Sequence, residues 1–381
     1  MGSDYELVRY QPDLKSQVIE LQTHLWSPHG ALNAAYFEWK FERNPYHKEP
    51  LIYLAMHQGK SVGMRGFFGV KWEAGVSSHP HAGLYADDAV IAPEHRKRAL
   101  MPRIMATAFA DLANRGYDYV FNLSAGQTTF LSSLAMGWRS AGSMQPMQRR
   151  SGGVALRSGL RRTAQRLPLA SRTVDGLFDR WDVKGHRTLE QIDDKQIQRA
   201  LNGYPCLSFE DHPRCADMAA LVERIGHSGR IRHVRDTEYF NWRFQNPLSR
   251  YRFLYWAKEH LEGYLVLHEY TSDFADRLFV NIVDWEASSE TVKTELLQAT
   301  LRILAHRRLE IWSATLPQIT VELLGRSGFK LTQPATSLTQ QCPAILVRSL
   351  RTQQEDEWRL DGLQLTDLAS WDIRMLYSMA G

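Results

Sequence analysis

Tyr36-Phe37-Glu38-Trp39-Lys40-Phe41, with Asn44-Pro45 just beyond it, comes back later in the same chain as Tyr239-Phe240-Asn241-Trp242-Arg243-Phe244 and Asn246-Pro247. A pattern Y-F-x-W-[KR]-F-x(1,2)-N-P does not arise twice by accident, so the chain contains a repeat, and a repeat this far apart sets the fold. The surroundings repeat too. A short apolar strand and a helix precede each copy, at residues 6–9 and 14–26, then 206–209 and 213–225. An antiparallel pair follows each, at 51–57 with 61–70 and at 251–258 with 263–270. Strands at 84–91 and 277–285 then lead into helices of period 3.6 at 100–114 and 292–306. A buried strand (119–123, 310–314) and a helix ending in Gly137-Trp138 or Gly328-Phe329 complete each unit. The repeated aromatics read as scaffold that packs the second helix onto the sheet in both copies.

The rest of the chain fits this division. With 381 residues, 44% hydrophobic and 23% charged, it has the composition of a globular protein with two or three cores and not of a disordered one. No apolar run is long enough to span a bilayer, and MGSDYELVRYQPDLK lacks the basic-then-apolar order of a signal peptide. Cys206, Cys215 and Cys342 form no CxxC pair, which excludes a disulfide framework and points to a cytoplasmic location. His79-Pro80-His81 has no further ligand at metal spacing and reads as a surface loop. Neither a Gly-x-Ser-x-Gly elbow nor a Walker loop occurs.

The net charge of +4 is local. Residues 149–187 hold ten Lys or Arg against Asp175, Asp179 and Asp182, leaving the remainder net negative. Gly152-Gly153 and Pro168 break the globular pattern there, so this stretch reads as a connector. The expected organisation is a first unit at 1–148, a basic connector at 149–203, a second unit at 204–350 and a tail at 351–381. A solvated linker is one reading of the connector. The other is an amphipathic stripe, Leu156, Leu160, Ala164 and Leu167 flanked by arginines, suited to an anionic membrane surface or an acyl carrier protein. Nucleic acid is disfavoured, because no aromatic interleaves with the arginines before Phe178 and Trp181.

Val90-Ile91-Ala92-Pro93-Glu94-His95-Arg96-Lys97-Arg98-Ala99-Leu100-Met101 resembles the V-x-P-x-x-R-G-x-G-x-G acyl-CoA loop of the GNAT superfamily of N-acyltransferases. Leu134-Ala135-Met136-Gly137-Trp138 and Leu323-Leu324-Gly325-Arg326-Ser327-Gly328-Phe329 are similar to that family's closing helix. The resemblance implies an α/β (α+β) fold: two GNAT-like mixed-sheet units in tandem. It also implies an acetyl-CoA or other acyl-CoA co-substrate, held by Val90, Ile91, Arg96, Lys97, Arg98, Ala99, Leu100, Met101 and Asn122, with no metal. Lys97, Ala99 and Met101 stand where the family has glycines that let backbone N–H groups approach a pyrophosphate. Three consecutive cations offset that by direct pairing. Trp285-Glu286-Ala287-Ser288-Ser289-Glu290 occupies the second loop, with two carboxylates and no Arg, so the second unit is expected to be degenerate.

Acyl transfer to an amine needs a proton acceptor, a polarised carbonyl and help for the leaving thiolate. The resemblance places Asp87 and Asp88 on the strand that carries the base, and Ser133 where a Tyr would stand beside the sulfur. Tyr85 and Tyr119 are substitutes for that Tyr. Alternation along a strand sends one Asp into the cleft and the other away; solvated strand-end charges are the competing reading. The implied activity is N-acyl transfer to a primary amine of a small molecule, with an amino sugar of a surface polysaccharide pathway as the first candidate by resemblance. Two alternatives stand beside it: a non-catalytic CoA- or carrier-binding protein with decayed sites, and a Fem-type aminoacyl-tRNA-dependent transferase. The heptad pattern of a Fem-type coiled-coil arm is absent.

Overall fold

The computed structural model describes residues 4–47, 49–75, 79–123, 127–150, 189, 192, 194–270, 279–332, 344–351 and 357–378. The amphipathic stripe of the connector and Cys342 lie outside them.

In chain order the first half contains β1 (Glu6–Arg9), α1 (Lys15–Gln22), α2 (Gly30–Phe37), β2 (Leu51–His57), β3 (Lys60–Ala74), β4 (His79–Ile91), α3 (Leu100–Asn114), β5 (Tyr119–Asn122), α4 (Gln127–Ala135), β6 (Arg139–Ser143) and β7 (Pro146–Arg149). After α5 (Asp194–Leu201) the second half gives β8 (Leu207–Glu210), α6 (Cys215–Ile225), β9 (Arg232–His233), α7 (Thr237–Arg243), β10 (Ser249–Ala257), β11 (Leu261–Tyr270), β12 (Phe279–Ala287), α8 (Glu290–Ile303), β13 (Arg308–Trp312), α9 (Gln318–Arg326), β14 (Lys330–Leu331) and β15 (Ala344–Ser349). The expected element order is present in both halves. His79 to His81 begin β4 and do not form a loop, and His81 bonds Asp361 at 2.7 Å.

The first sheet runs β1-β2-β3-β4-β5-β15-β6, with β9 added along β3, and the second runs β14-β7-β13-β12-β11-β10-β8. The units exchange strands. β7, from the first half, lies antiparallel to β13 and β14 of the second sheet. β15, from the second half, lies between β5 and β6 of the first. Each strand fills the place that the other leaves, so each sheet is completed by the other half of the sequence.

Helix α3 buries Leu100, Ile104, Met105, Ala108 and Leu112 against one face of the first sheet, the stripe its 3.6 period requires. Helix α8 does the same on the second with Val292, Leu296, Leu297 and Ile303. The other faces meet in one shared core, to which α1, α2, α6 and α7 contribute. At its centre the two repeat motifs face each other. Trp39 and Trp242 stack with ring centroids 4.8 Å apart and 6° between planes. Each indole Nε1 donates to the other's main-chain oxygen, Trp39 to Trp242 at 2.7 Å and Trp242 to Trp39 at 2.8 Å. Reciprocal contacts of this kind are the signature of a two-fold interface, here within one chain. Tyr36, Phe37 and Phe41 pack as scaffold, while the tryptophans join the units.

The tail is part of this core. Trp358, Leu365, Trp371, Ile373, Leu376 and Tyr377 are buried in it, and Ile231 bridges to Trp371. Cys215 is buried and Cys206 half-buried.

Candidate functional site

Strands β4 and β5 are parallel partners at Leu84↔Val120 and Tyr85↔Phe121. β4 then continues to Ile91 alongside β3, leaving an opening on its β5 side. At this point its pairing with β3 shifts: Gly66 faces Asp87, Met64 faces Val90, and Arg65 alone spans Asp88 and Ala89. This is a β-bulge, and Asp88 carries it with φ 51°, in the left-handed region. Gly66 is required opposite, because a Cβ there would come within 2.8 Å of the Phe41 ring.

The bulge cancels the alternation expected from sequence. Both carboxylates turn to the same side and meet Lys40 Nζ, which donates to Asp87 Oδ2 at 2.6 Å and to Asp88 Oδ1 at 2.7 Å. Lys40 is fully buried; it sits in a π-helical turn (Glu38–Glu42) and lies 5.0–5.4 Å from the rings of Tyr36, Trp26, Phe41 and Phe68. Asp88 also accepts from Gln22 Nε2 at 2.9 Å and Trp26 Nε1 at 2.8 Å, and its side chain is 0% exposed. The Asp87 side chain keeps 11% exposure. Burial pushes the Asp87 carboxyl above its ordinary range, the Lys40 ammonium pulls it back, and Asp88 pushes it up again. Lys40 was missed from sequence as a site residue, although the [KR] position of the repeated motif marked it.

Beside the bulge, a cavity of about 330 Å³ lies between β4, α3 and α4. Val90, Ile91, Arg96, Met101 and Ser133 line it, as do His24 and Arg65. Lys97 (φ 63°) and Ala99 (φ 53°) both adopt the left-handed backbone that glycine favours. The loop thus holds two non-glycine residues in a conformation that glycine adopts freely, at a cost of roughly 1–2 kcal/mol per residue. Strain of this kind collects at functional sites. Ala99 caps α3 and Leu100 is buried in the core, so Leu100 supports the loop from below. Arg96 Nε donates to the Ile91 carbonyl at 3.1 Å, and the Arg98 guanidinium lies 6.0 Å from the Tyr5 ring.

Other expected residues are not gathered here. Asn122 is buried on β5 opposite Leu346 and is not among the residues lining this cavity, nor are Asp87, Asp88, Lys97, Arg98, Ala99 or Leu100. The Tyr85 hydroxyl accepts from the Leu123 N–H, and the Tyr119 hydroxyl donates to the Arg359 carbonyl, so both are committed elsewhere. Among the described residues no cluster of His, Cys, Asp or Glu is arranged to hold a metal, and no helix is long and apolar enough to cross a membrane.

The second unit also has a bulge on the corresponding strand, at Val283, earlier along the strand than the one at Asp88, and it is filled differently. β12 pairs with β13 over Phe279 to Asn281 and shifts register against β11 between Val266 and Leu267. Asp284 and Glu286 follow. Asp284 accepts from Tyr264 at 2.8 Å and Arg235 at 3.0 Å, while Glu286 pairs with Arg235 at 2.7 Å and with Arg374 of the tail at 2.9 Å. Burial pushes the Glu286 carboxyl up, but the two guanidinium groups outweigh it and hold it at about 2. Arg243, at the Lys40 position of the motif, donates to the Leu376 and Ser378 carbonyls. Trp285 to Ala287 belong to the strand and not to a loop; only Ser288 and Ser289 separate it from α8. The first unit uses Ala92 to Ala99 for the same connection.

A mixed sheet whose central parallel strands part at a bulge, with a basic loop and a helix start at the opening, defines the GNAT fold. Comparison with solved structures agrees. A conserved protein of unknown function from Enterococcus faecalis V583, described as a probable N-acyltransferase, superposes with TM-score 0.56 at 10% identity over 91% of this chain and 73% of that one. A GCN5-related N-acetyltransferase from Anabaena variabilis gives 0.54 at 11%, again over 91% and 73%. A tandem GNAT protein from the clavulanic acid biosynthesis pathway gives 0.50 at 10% over 92% of this chain and all of that one. The chain matches no family profile and no curated protein sequence. It has the tandem GNAT fold, with both units present and their closing strands exchanged.

Proposed function

We propose that the first unit is an N-acyltransferase that moves an acyl group from acyl-CoA to a primary amine. The observation that carries this reading is the conjunction at one bulge: a carboxylate with a raised pKa, a cavity beside it and a strained basic loop at a helix start. Arg96, Lys97 and Arg98 hold the coenzyme phosphates at the α3 N-terminus. The thioester lies in the cavity beside Ala89. Asp87, the more exposed of the pair, takes the proton from the attacking nitrogen, for which a raised pKa suits it. The nitrogen forms the new C–N bond, the C–S bond breaks, and the Ser133 hydroxyl hydrogen-bonds the leaving sulfur. Asp88 and Lys40 are positioning residues that hold Asp87 in place. The first acceptor to assay is an amino sugar such as glucosamine, the class that the tandem resemblance suggests.

Asp87→Asn and Asp88→Asn separate these roles. With acetyl-CoA and an amine panel, Asp87→Asn should lose about 10²–10⁴ in rate with CoA affinity kept, and recover partly at high pH where the amine is already neutral. Wild-type rate should fall in acid with an apparent pKa above the ordinary carboxylate range. Asp88→Asn should instead lower stability. Full turnover by Asp87→Asn across the pH range would move the base elsewhere.

A further inference from the structure

Arg65 has no part in the scheme above. Its side chain lies on β3 opposite the bulge and lines the cavity, the residue is 3% exposed, and its Nε has no hydrogen-bond partner among the described residues. A buried guanidinium with an unmade hydrogen bond is costly unless something completes it. Asp87 and Asp88 attract it from nearby, but their hydrogen bonds run to Lys40, Gln22 and Trp26. Among the described residues lining the cavity there is no Asp or Glu, while Arg65, Arg96 and His24 line it together with the hydroxyls of Thr129, Ser132 and Ser133. The polar lining offers donors and positive charge to whatever enters.

We propose that Arg65 is a specificity residue that recognises a carboxylate at the far end of the transferred acyl group, so that the preferred donor is a short dicarboxylic acyl-CoA. The inference rests on the acyl-CoA reading of the same cavity. Arg96, in the loop, meets the coenzyme phosphates at one end, and Arg65, inside, meets the acyl carboxylate at the other. A planar guanidinium suits a carboxylate because two parallel N–H donors match its two oxygens. An acetyl group has no carboxylate to offer it, and an alkyl chain in place of the dicarboxylic one would leave Nε unpaired.

Calorimetry on the full chain, with free CoA, butyryl-CoA and succinyl-CoA and no acceptor present, tests this. Succinyl and butyryl groups differ by a carboxylate in place of a methyl. Succinyl-CoA should bind at least about tenfold more tightly than butyryl-CoA, the size expected of hydrogen bonds to a charged group. Arg65→Met should erase that preference and leave butyryl-CoA affinity unchanged, and Arg65→Lys should restore part of it. Equal wild-type affinities, a comparison that needs no variant, would overturn the proposal while CoA binding itself upheld the broader reading. Failure of all three ligands to bind would overturn both. Arg65→Met weakening both esters alike would make Arg65 a general holder and also overturn it.

Discussion

Two carboxylate pairs sit at or just beyond a bulge on corresponding strands, one in each unit, and their counter-cations come from different places. In the first unit Lys40 comes from the repeat motif itself, and the Asp87 side chain keeps 11% exposure, two residues from Ala89 in the cavity wall. In the second, Arg235 and the tail's Arg374 close over Asp284 and Glu286, and Arg243 of the motif grips the tail's carbonyls. An eight-residue basic loop precedes the helix in the first unit, and two serines do so in the second. One scaffold thus carries an open candidate site in one copy and a closed lock in the other. The difference lies in loop length and in what covers the bulge, not in the sheets.

Removing the lock should have the largest effect. Ending the chain after Thr366 takes away Trp371, Ile373, Met375, Leu376 and Tyr377, all buried in the shared core. At roughly 1.5–3 kcal/mol per such side chain, the loss is on the order of 10 kcal/mol, and Glu286 loses one of its two guanidinium partners. Denaturant titration should find no cooperative native state; a stable truncated chain would show that the tail is dispensable. Lys40→Met comes next. It leaves two buried carboxylates facing each other without their cation, a loss of about 3–5 kcal/mol by the same titration. A cost below 1 kcal/mol would mean that one Asp is already neutral.

The fold was legible because its periods and its repeat are local properties of sequence: 3.6-residue stripes such as Leu100 to Leu112, and Trp39 echoed by Trp242. The loop and the Asp pair were legible by resemblance. Three things were not. The exchange of β7 and β15 depends on which sheet edge a strand reaches, which no local pattern encodes. The direction of Asp88 depends on a bulge at a non-glycine residue. The role of the tail depends on burial against both units, and residues such as Arg374 look like any surface arginine until their partners are placed.

The seam between the units gives a smaller, sharper test. In a double-mutant cycle of Trp39→Ala and Trp242→Ala, the coupling energy should be about 1 kcal/mol from the stack, with the mutual hydrogen bonds adding to it. Strict additivity would deny that the repeats recognise each other directly. The smallest effect is one of pH. Glu286 titrates at about 2 in the folded chain against 4.5 ordinarily, so its contribution is present above pH 4.5 and lost as pH falls toward 2. His233 and His268, buried and pushed down to about 3 from 6.5, lose theirs between those values. Burial raises Asp87, which works in the opposite sense, and Asp284 offsets part of the trend. Hydrogen exchange should therefore loosen β9 and β11, the strands that carry these two histidines, as pH falls from 6.5 to 4, and Glu286 should add its share only below that.

If the first unit alone holds acyl-CoA, as we propose, the stoichiometry of CoA binding to the full chain must show it. Isothermal titration should give one site per chain, weakened by added salt and abolished by Arg96→Glu with Arg98→Glu while the melting temperature holds. Two sites per chain, or one site that survives that double charge reversal, would mean that CoA is held elsewhere than on the basic loop of the first unit.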